Sequence, residues 1–411
     1  ADWRHPSEDV VYLLDTIIGH IPAPLIKEGH TQMQVTSLDY SSYIGRIAVG
    51  RVARGSITSG QQVVLMKRDG TVQKSKVKEL YAFSGLGKLK VEKVECGDIC
   101  AVVGVDGFEI GDTIADIENP EALPPIHIDE PTMSMVFTTN TSPFFGKEGK
   151  YVTSQKIRER LFKELEKNMA LRVEETESAD TFRVFGRGIL HLSVLIETMR
   201  REGYELSIGN PRVITKEVEG RKHEPVEILT IDCPEEVAGR CIEALTQRKG
   251  ELLIMEPKGD MMHLEFEIPS RGIIGLRTLI LNTTAGEAVM AHRFKEYKPW
   301  KGVIPGRNNG VLVAKNQGTA TAYSIDKLQD RGAFFIDPGE EVYIGQIIGE
   351  HIKPGDLVVN ITEGKKLTNM RASGSDDHAR IAPKIQLSME ECMVYIQPDE
   401  CMEVTPKAIR M

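Results

Sequence analysis

The sequence predicts a multidomain chain of β and α+β class: a β-barrel, two βαββαβ domains, and a β-rich C-terminal domain with one short helix. Three observations predict it. Residues 25–124 are short apolar runs punctuated by glycine at turn-like spacing. Two later stretches share one order of elements, although their residues differ. Beyond Lys301 the glycine rhythm returns. At 411 residues the chain also exceeds what one hydrophobic core holds, and about three or four units are expected.

At the start, Val10, Leu13, Leu14, Ile17 and Ile18 recur at helical spacing. Ser7 suits the N-cap, Glu8 and Asp9 the positive helix start, and Gly19 the stop. Ile21-Pro22-Ala23-Pro24 reads as a stiff linker. So apolar a helix needs a covering surface, supplied either by preceding chain or by docking on the next domain. In the barrel, Asp69-Gly70 is a tight turn between Val63–Met66 and Thr71–Val77. Many short strands with regular turns favour closure, because a barrel removes unpaired edges.

Asn119-Pro120 through Pro125 marks a boundary. The first repeat then reads strand (Met133–Thr139), helix (Ile157, Leu161, Leu165, Met169), two strands (Leu171–Glu174, Thr181–Phe185), helix (Leu192, Leu195, Ile196, Met199) and strand (Tyr204–Ile208). The second reads strand (Val226–Ile231), helix (Val237, Cys241, Leu245), hairpin (Glu251–Met255, Met261–Ile268), helix near Gly272–Leu281 and strand (Glu287–Phe294). Both are the split, ferredoxin-like order. In the last third, strands are expected at Gly310–Val313, Gly318–Tyr323, Val342–Ile348 and Leu357–Ile361. Ser388-Met389-Glu390-Glu391 is a capping box opening a short helix through Ile396.

Composition excludes several classes. Apolar residues make up 41% and charged residues 27%, as in ordinary globular proteins. No apolar run approaches a membrane span and no signal-peptide core opens the chain, so a cytoplasmic protein is expected. The six cysteines form neither a disulfide ladder nor a zinc pattern, and buried reduced thiols are expected. The net charge of −9 argues against nucleic-acid binding unless a basic patch is local.

No catalytic constellation is legible. Gly87-Lys88-Leu89, Gly149-Lys150-Tyr151 and Gly364-Lys365-Lys366 all lack the hydroxyl residue that a phosphate loop places after its lysine. His191, flanked by Leu190 and Leu192, reads as a packed residue rather than a base, and Asp376-Asp377-His378 as a solvated loop rather than a metal trio. The informative segment is Gly364-Lys365-Lys366-Leu367-Thr368-Asn369-Met370-Arg371-Ala372-Ser373-Gly374, with three positive charges and no negative one. Lysine offers mobile phosphate contacts, arginine a planar fork, and Asn, Thr and Ser neutral donors for sugar and base edges. The alternative is a plain surface loop. Lys295, Lys298, Lys301 and Arg307 around Trp300 could extend the patch, or form a linker with solvated lysines.

These motifs carry a family resemblance. Gly45-Arg46, Gly50, Val52, Gly55, Ile57 and Gly60 resemble the second-domain barrel of translational GTPases. Gly186-Arg187-Gly188-Ile189-Leu190-His191-Leu192 resembles the third domain of the elongation factor G branch, with Ile189 where Glu is common. Pro269, Gly272 and Gly275 with Thr284 and Gly286 resemble that branch's fifth domain. That branch inserts a large fourth domain between the two, where this chain has only the residues from Gly209 to Lys222, which is inconsistent with a translocase. Asn309-Gly310-Val311-Leu312, Gln329-Asp330-Arg331-Gly332, Gly345-Gln346-Ile347-Ile348-Gly349 and Lys366–Gly374 are similar to the BipA/TypA family.

The resemblance implies a partition: residues 1–24 a remnant of the last G-domain helix with its linker, 25–124 a translation-factor barrel, 125–210 and 211–300 the two ferredoxin-like domains, and 301–411 a family-specific C-terminal domain. It implies a ribosome-binding portion of a bacterial GTPase that docks on 70S and large-subunit RNA near the A site, linked to ribosome assembly and to cold or stress adaptation. Lys365, Lys366, Asn369, Met370, Arg371 and Ser373 would contact large-subunit rRNA and the A-site tRNA end. The chain, as a monomer, is expected to lack the G domain and to be no enzyme, with no cofactor of its own. GTP and Mg²⁺ would belong to the G domain of a full-length GTPase parent. The family's basic tail after Arg410 is also expected to be trimmed, since the chain stops at Met411. The competing readings are a protein-binding scaffold without RNA contact and an enzyme with a dispersed site.

Overall fold

The computed structural model describes residues 10–41, 43–126, 131–165, 168, 170–304, 306–364 and 381–411. The chain divides into two compact units, Ala1–Ile128 with Glu166–Met169, and Asp129–Leu165 with Ala170–Met411.

In the first unit, helix α1 spans Val11–His20, one residue beyond the expected stop at Gly19, and none of its residues is buried. The cap expected at Ser7 lies outside the described residues. The barrel is an eight-stranded antiparallel sheet in the order 72–76, 62–66, 113–116, 32–41, 45–54, 99–103, 79–84, 87–90. Met33, Val52, Leu65, Leu80, Val102 and Ile114, drawn from across that sheet, share one core, so the sheet curls around it. Gly50 shows why the signature needs glycine there: a Cβ would sit 1.9 Å from the Gln34 carbonyl oxygen on the paired strand. The Asp69-Gly70 turn joins 62–66 to 72–76 as expected, with Asp69 accepting the Thr71 amide at 2.8 Å. The outermost strand, 72–76, exposes Lys74 and Lys76, and such charges blunt a free edge.

The second unit contains both βαββαβ repeats. In the first, Met133–Thr138, α2 (Ser154–Leu165), Arg172–Glu175, Thr181–Gly186, α3 (Ile189–Glu202) and Leu206–Gly209 make a sheet in the order 172–175, 181–186, 133–138, 206–209. In the second, Arg221–Pro234, α4 (Glu235–Gln247), Glu251–Lys258, Met261–Pro269, α5 (Ser270–Ile273), α6 (Leu276–Thr283) and Val289–Pro299 give the order 251–258, 261–269, 221–234, 289–299. Numbered within each repeat, both orders are 2-3-1-4 with every neighbour antiparallel. Most apolar positions read at helical spacing are buried: Ile157 and Leu161 on α2, Leu192, Leu195, Ile196 and Met199 on α3, Cys241 and Leu245 on α4; Leu165 and Val237 are partly buried, and Met169 lies outside the described residues. The single helix expected near 272–281 is broken at Gly275, which is left-handed at φ +70°.

A third sheet of this unit runs 332–334, 347–351, 311–314, 357–359, with the last pair parallel. Two expectations fail locally. The strand foreseen at Gly318–Tyr323 ends at Thr319, and α7 (Ala322–Leu328) follows, because the Thr321 side chain accepts the Ser324 amide at 3.2 Å and caps a helix instead. The strand foreseen at Val342–Ile348 is interrupted, pairing only at Glu341–Val342 and resuming at Ile347, because Gly345 turns the chain at φ +88°.

The end of the chain does not stay with that sheet. The capping box forms as expected, Ser388 Oγ accepting the Glu391 amide while Glu391 accepts the Ser388 amide, and opens α8 (Met389–Tyr395). Met389, Cys392 and Met393 then join the core of the first repeat. Strand Cys401–Val404 pairs with Leu206–Gly209 and covers what would be its open edge.

Candidate nucleic-acid interface

Lys365, Lys366, Asn369, Met370, Arg371 and Ser373 lie outside the described residues, as do Asp376, Asp377 and His378. Both flanks of that segment are described, and both are anchored in one sheet domain. On the entering side Ile361 is fully buried, and its carbonyl takes the Thr321 amide at 3.0 Å. The Glu363 carbonyl takes two hydroxyls, Thr321 Oγ1 at 2.6 Å and Ser324 Oγ at 2.8 Å. On the returning side Ile381 packs on the same core that contains Ile361. The Ile385 amide donates to the Phe334 carbonyl at 2.8 Å. Lys384 bridges Asp337 and Glu340 at 2.8 and 2.6 Å, which raises its pKa. A hydroxyl clamp at Glu363 and an ion-paired Lys384 thus hold the two described flanks. Sequence reasoning missed Thr321 because it read it as strand, and Ser324 because it falls just past that expected strand; an N-cap threonine before a helical run was the available signal.

The second basic stretch is neutralised internally. Lys295 and Lys298 both reach the buried Glu267 carboxylate, at 2.7 and 2.6 Å, and hold it below its ordinary pKa against the cost of burial. Lys301 pairs with Glu251 at 2.9 Å. Arg307 forks onto Glu400 at 2.7 and 3.3 Å and lies over the Tyr395 ring. Lys222 and Arg271 both lie over the Trp300 ring, and Arg271 in turn forks onto the fully buried Glu224. Their positive charge supports the fold, so the patch does not extend here. His191 is the packed residue expected: burial, then the nearby Arg187 charge, lowers its pKa, and its Nδ1 accepts the Arg187 amide at 3.3 Å.

Four of the cysteines, Cys100, Cys233, Cys241 and Cys392, are buried and free, with the Cys100, Cys241 and Cys392 thiols pushed up to about 12 by burial. Among the described residues no three His, Cys, Asp or Glu side chains converge as metal ligands. No helix among them is long and apolar enough to cross a membrane.

The domain that carries this anchored segment also matches a known family. Residues 309–411 match the TypA/BipA C-terminal domain, 221–308 the elongation factor G C-terminus, and 45–115 elongation factor Tu domain 2. Along its whole length the chain is 47% identical over 413 residues to the large ribosomal subunit assembly factor BipA of Escherichia coli K12, spanning 68% of it. The chain belongs to the TypA/BipA family. The BipA proteins of Synechocystis (47% over 407 residues, 98% of this chain and 68% of that one) and Bacillus subtilis (46% over 413 residues, 100% and 68%) are similar to it. A crystal structure from Thermus thermophilus superposes with a TM-score of 0.47 at 17% identity, over 71% of this chain and 59% of that one.

One expectation is corrected by these matches. The sequence reading expects a non-enzymatic chain without its G domain. The TypA/BipA relatives instead align with the chain over 100% of its length, and that match is no evidence that a G domain is absent. The description as a non-enzyme therefore does not stand.

Proposed function

We propose that this chain is the ribosome-docking portion of a TypA/BipA translational GTPase, contacting large-subunit rRNA near the A site through Lys365, Lys366, Asn369, Met370, Arg371 and Ser373. One observation carries the reading. The flanks of this segment are clamped at Thr321, Ser324 and Lys384, whereas Lys295, Lys298, Lys301 and Arg307 are spent on internal carboxylates. With the second basic stretch neutralised internally, the Lys365–Ser373 segment is the better candidate in this acidic chain for a phosphate-rich partner. The relatives' name, large ribosomal subunit assembly factor, supports the ribosome as that partner and assembly as the process. The A-site tRNA end, and a role in cold or stress adaptation, belong to the same proposal.

Ribosome pelleting across a salt series tests it, with parent and variants as the 411-residue chain. Changing Lys366 and Arg371 together to Glu should weaken binding by at least about 3 kcal/mol, through two lost charge-assisted contacts and two new repulsions. Lys366→Ala should flatten the slope of log affinity against log salt by about 0.7 to 0.9. Parent binding that the double Glu variant matches would place the docking face elsewhere, as would a parent that binds ribosomes with no salt dependence.

A further inference from the structure

The second unit contains a cavity of about 790 Å³ walled by the start of α3, by α5 and α6, by the 289–299 strand and by α8. That volume is in the range of sites for small organic ligands. Its walls are apolar: Leu190, Ile274, Leu279, Met290, Leu387 and Val394 all face it. Leu190 and Leu279 are 62% and 39% exposed, an arrangement that costs free energy while nothing covers them. The turn at Gly275 makes the shape possible, because a Cβ there would come within 2.6 Å of Val394 Cγ1 and push α8 away from α6.

The polar groups are of two kinds. Glu227 and His292, on adjacent strands, satisfy each other at 2.6 Å. Glu390 accepts the Ser193 hydroxyl at 2.7 Å, and Glu391 is spent on the α8 cap. Arg187, just before α3, and Arg277, in the first turn of α6, also line the cavity, and among the described residues neither guanidinium has an ion-pair partner. Three other arginines of this unit are instead forked onto carboxylates: Arg160 onto Glu202, Arg271 onto Glu224, Arg307 onto Glu400. Two unpaired forks beside an apolar chamber suit a ligand with an oily body and one acid group, because a guanidinium grips a carboxylate, sulfonate or phosphate through paired N–H donors.

We propose that this cavity is a binding site for an amphipathic organic anion, whose apolar body fills the space between α3, α6 and α8 and whose acid group meets Arg187 and Arg277. This site is separate from the RNA-docking segment and does not depend on it.

The probe is 8-anilinonaphthalene-1-sulfonate, added to the full chain labelled with ¹³C at its methionine methyls. Met133 and Met290 line the cavity, whereas Met66 is in the barrel and serves as the internal control. The expected result is a saturable shift of the Met133 and Met290 signals with the Met66 signal unmoved. Arg187→Gln with Arg277→Gln should weaken that binding about five- to tenfold. N-phenyl-1-naphthylamine, the same body without the acid, should shift the same two signals with an affinity the double variant leaves unchanged. Both arginines are exposed, so the variant keeps its fold, and the untreated methyl spectrum verifies this. The proposal is overturned if Met133 and Met290 do not shift, or if the double variant binds the sulfonate as tightly as the parent does.

Discussion

Tyr343 donates its hydroxyl to Glu403 Oε2 at 3.1 Å, and both residues are buried. Glu403 also accepts Ser142 Oγ at 2.6 Å and Asn140 Nδ2 at 2.7 Å, and Arg410 approaches at 3.4 Å. Asn140 spends the same amide nitrogen on Glu205, fully buried, at 2.7 Å. Glu205 further accepts the Gly146 and Gly149 amides at 2.8 and 2.9 Å. Two buried carboxylates thus share one donor, and three stretches distant in sequence meet there: the first βαββαβ repeat, the sheet domain containing Tyr343, and the terminal strand.

Removing the shared donor should cost more than removing one of several. Asn140→Ala takes a hydrogen bond from each carboxylate and is expected to destabilise by about 3 kcal/mol or more. Tyr343→Phe leaves Glu403 three partners and should cost about 1–2 kcal/mol. Urea unfolding gives the totals, and hydrogen exchange should show the Cys401–Val404 amides losing protection first in Asn140→Ala. Equal costs for the two variants would mean that the carboxylates do not depend on the shared amide.

Two glycines of the barrel signature should fail for different reasons. Gly50→Ala drives a methyl into the Gln34 carbonyl, and separating the 32–41 and 45–54 strands should cost at least about 3 kcal/mol. Gly45→Ala meets nothing within 4 Å but must hold φ near +84°, at about 1–2 kcal/mol. Thermal melts of the two variants should rank Gly50→Ala well below Gly45→Ala.

Thiol reactivity should separate one cysteine from the buried set. Cys401 is exposed, while burial holds Cys100, Cys241 and Cys392 far from the thiolate form. Ellman's reagent at about pH 8 should titrate Cys401 in a fast phase that Cys401→Ser abolishes. The four buried thiols, Cys233 included, should react only after unfolding. Fast labelling of any of them in the native chain would contradict the packing described for their cores.

The Glu227–His292 pair should make part of the stability pH-dependent. Its hydrogen bond to Glu227 raises the His292 pKa, with burial opposing. A raised folded pKa gives a contribution fully present below the ordinary value of 6.5 and lost as pH rises through the folded value. The stability gap between the parent and Glu227→Gln should therefore narrow as pH rises above 6.5. An NMR titration should show the His292 pKa falling in Glu227→Gln. A gap that widens with pH would reverse the assignment.

Much of this architecture was legible because it is local. Periods of two and 3.6 residues place the strands and helices of both βαββαβ repeats, and Ser388 with Glu391 announces α8 from four consecutive residues. The Asp69-Gly70 turn is equally self-contained. The Gly318–Tyr323 misreading is also local in origin: β-prone residues there outweighed one capping threonine, and the cap prevailed. The basic segment was visible as a charge pattern, but its stem was not, since Thr321 and Ser324 reach Glu363 from far back along the chain.

By itself the sequence determined the repeats, the glycine positions of the barrel and the segment where cationic side chains gather. Which cations are spent internally was settled by tertiary packing. Lys295, Lys298 and Arg307 read like Lys365 and Arg371 in one dimension, yet strand register brings Glu267 under the first two and the return of the chain after α8 brings Glu400 to the third. It also decided that Cys401–Val404 should complete the sheet begun at Met133. Pairing between strands so far apart is selected by an open edge and an unfilled core, and neither exists until the rest of the chain has folded.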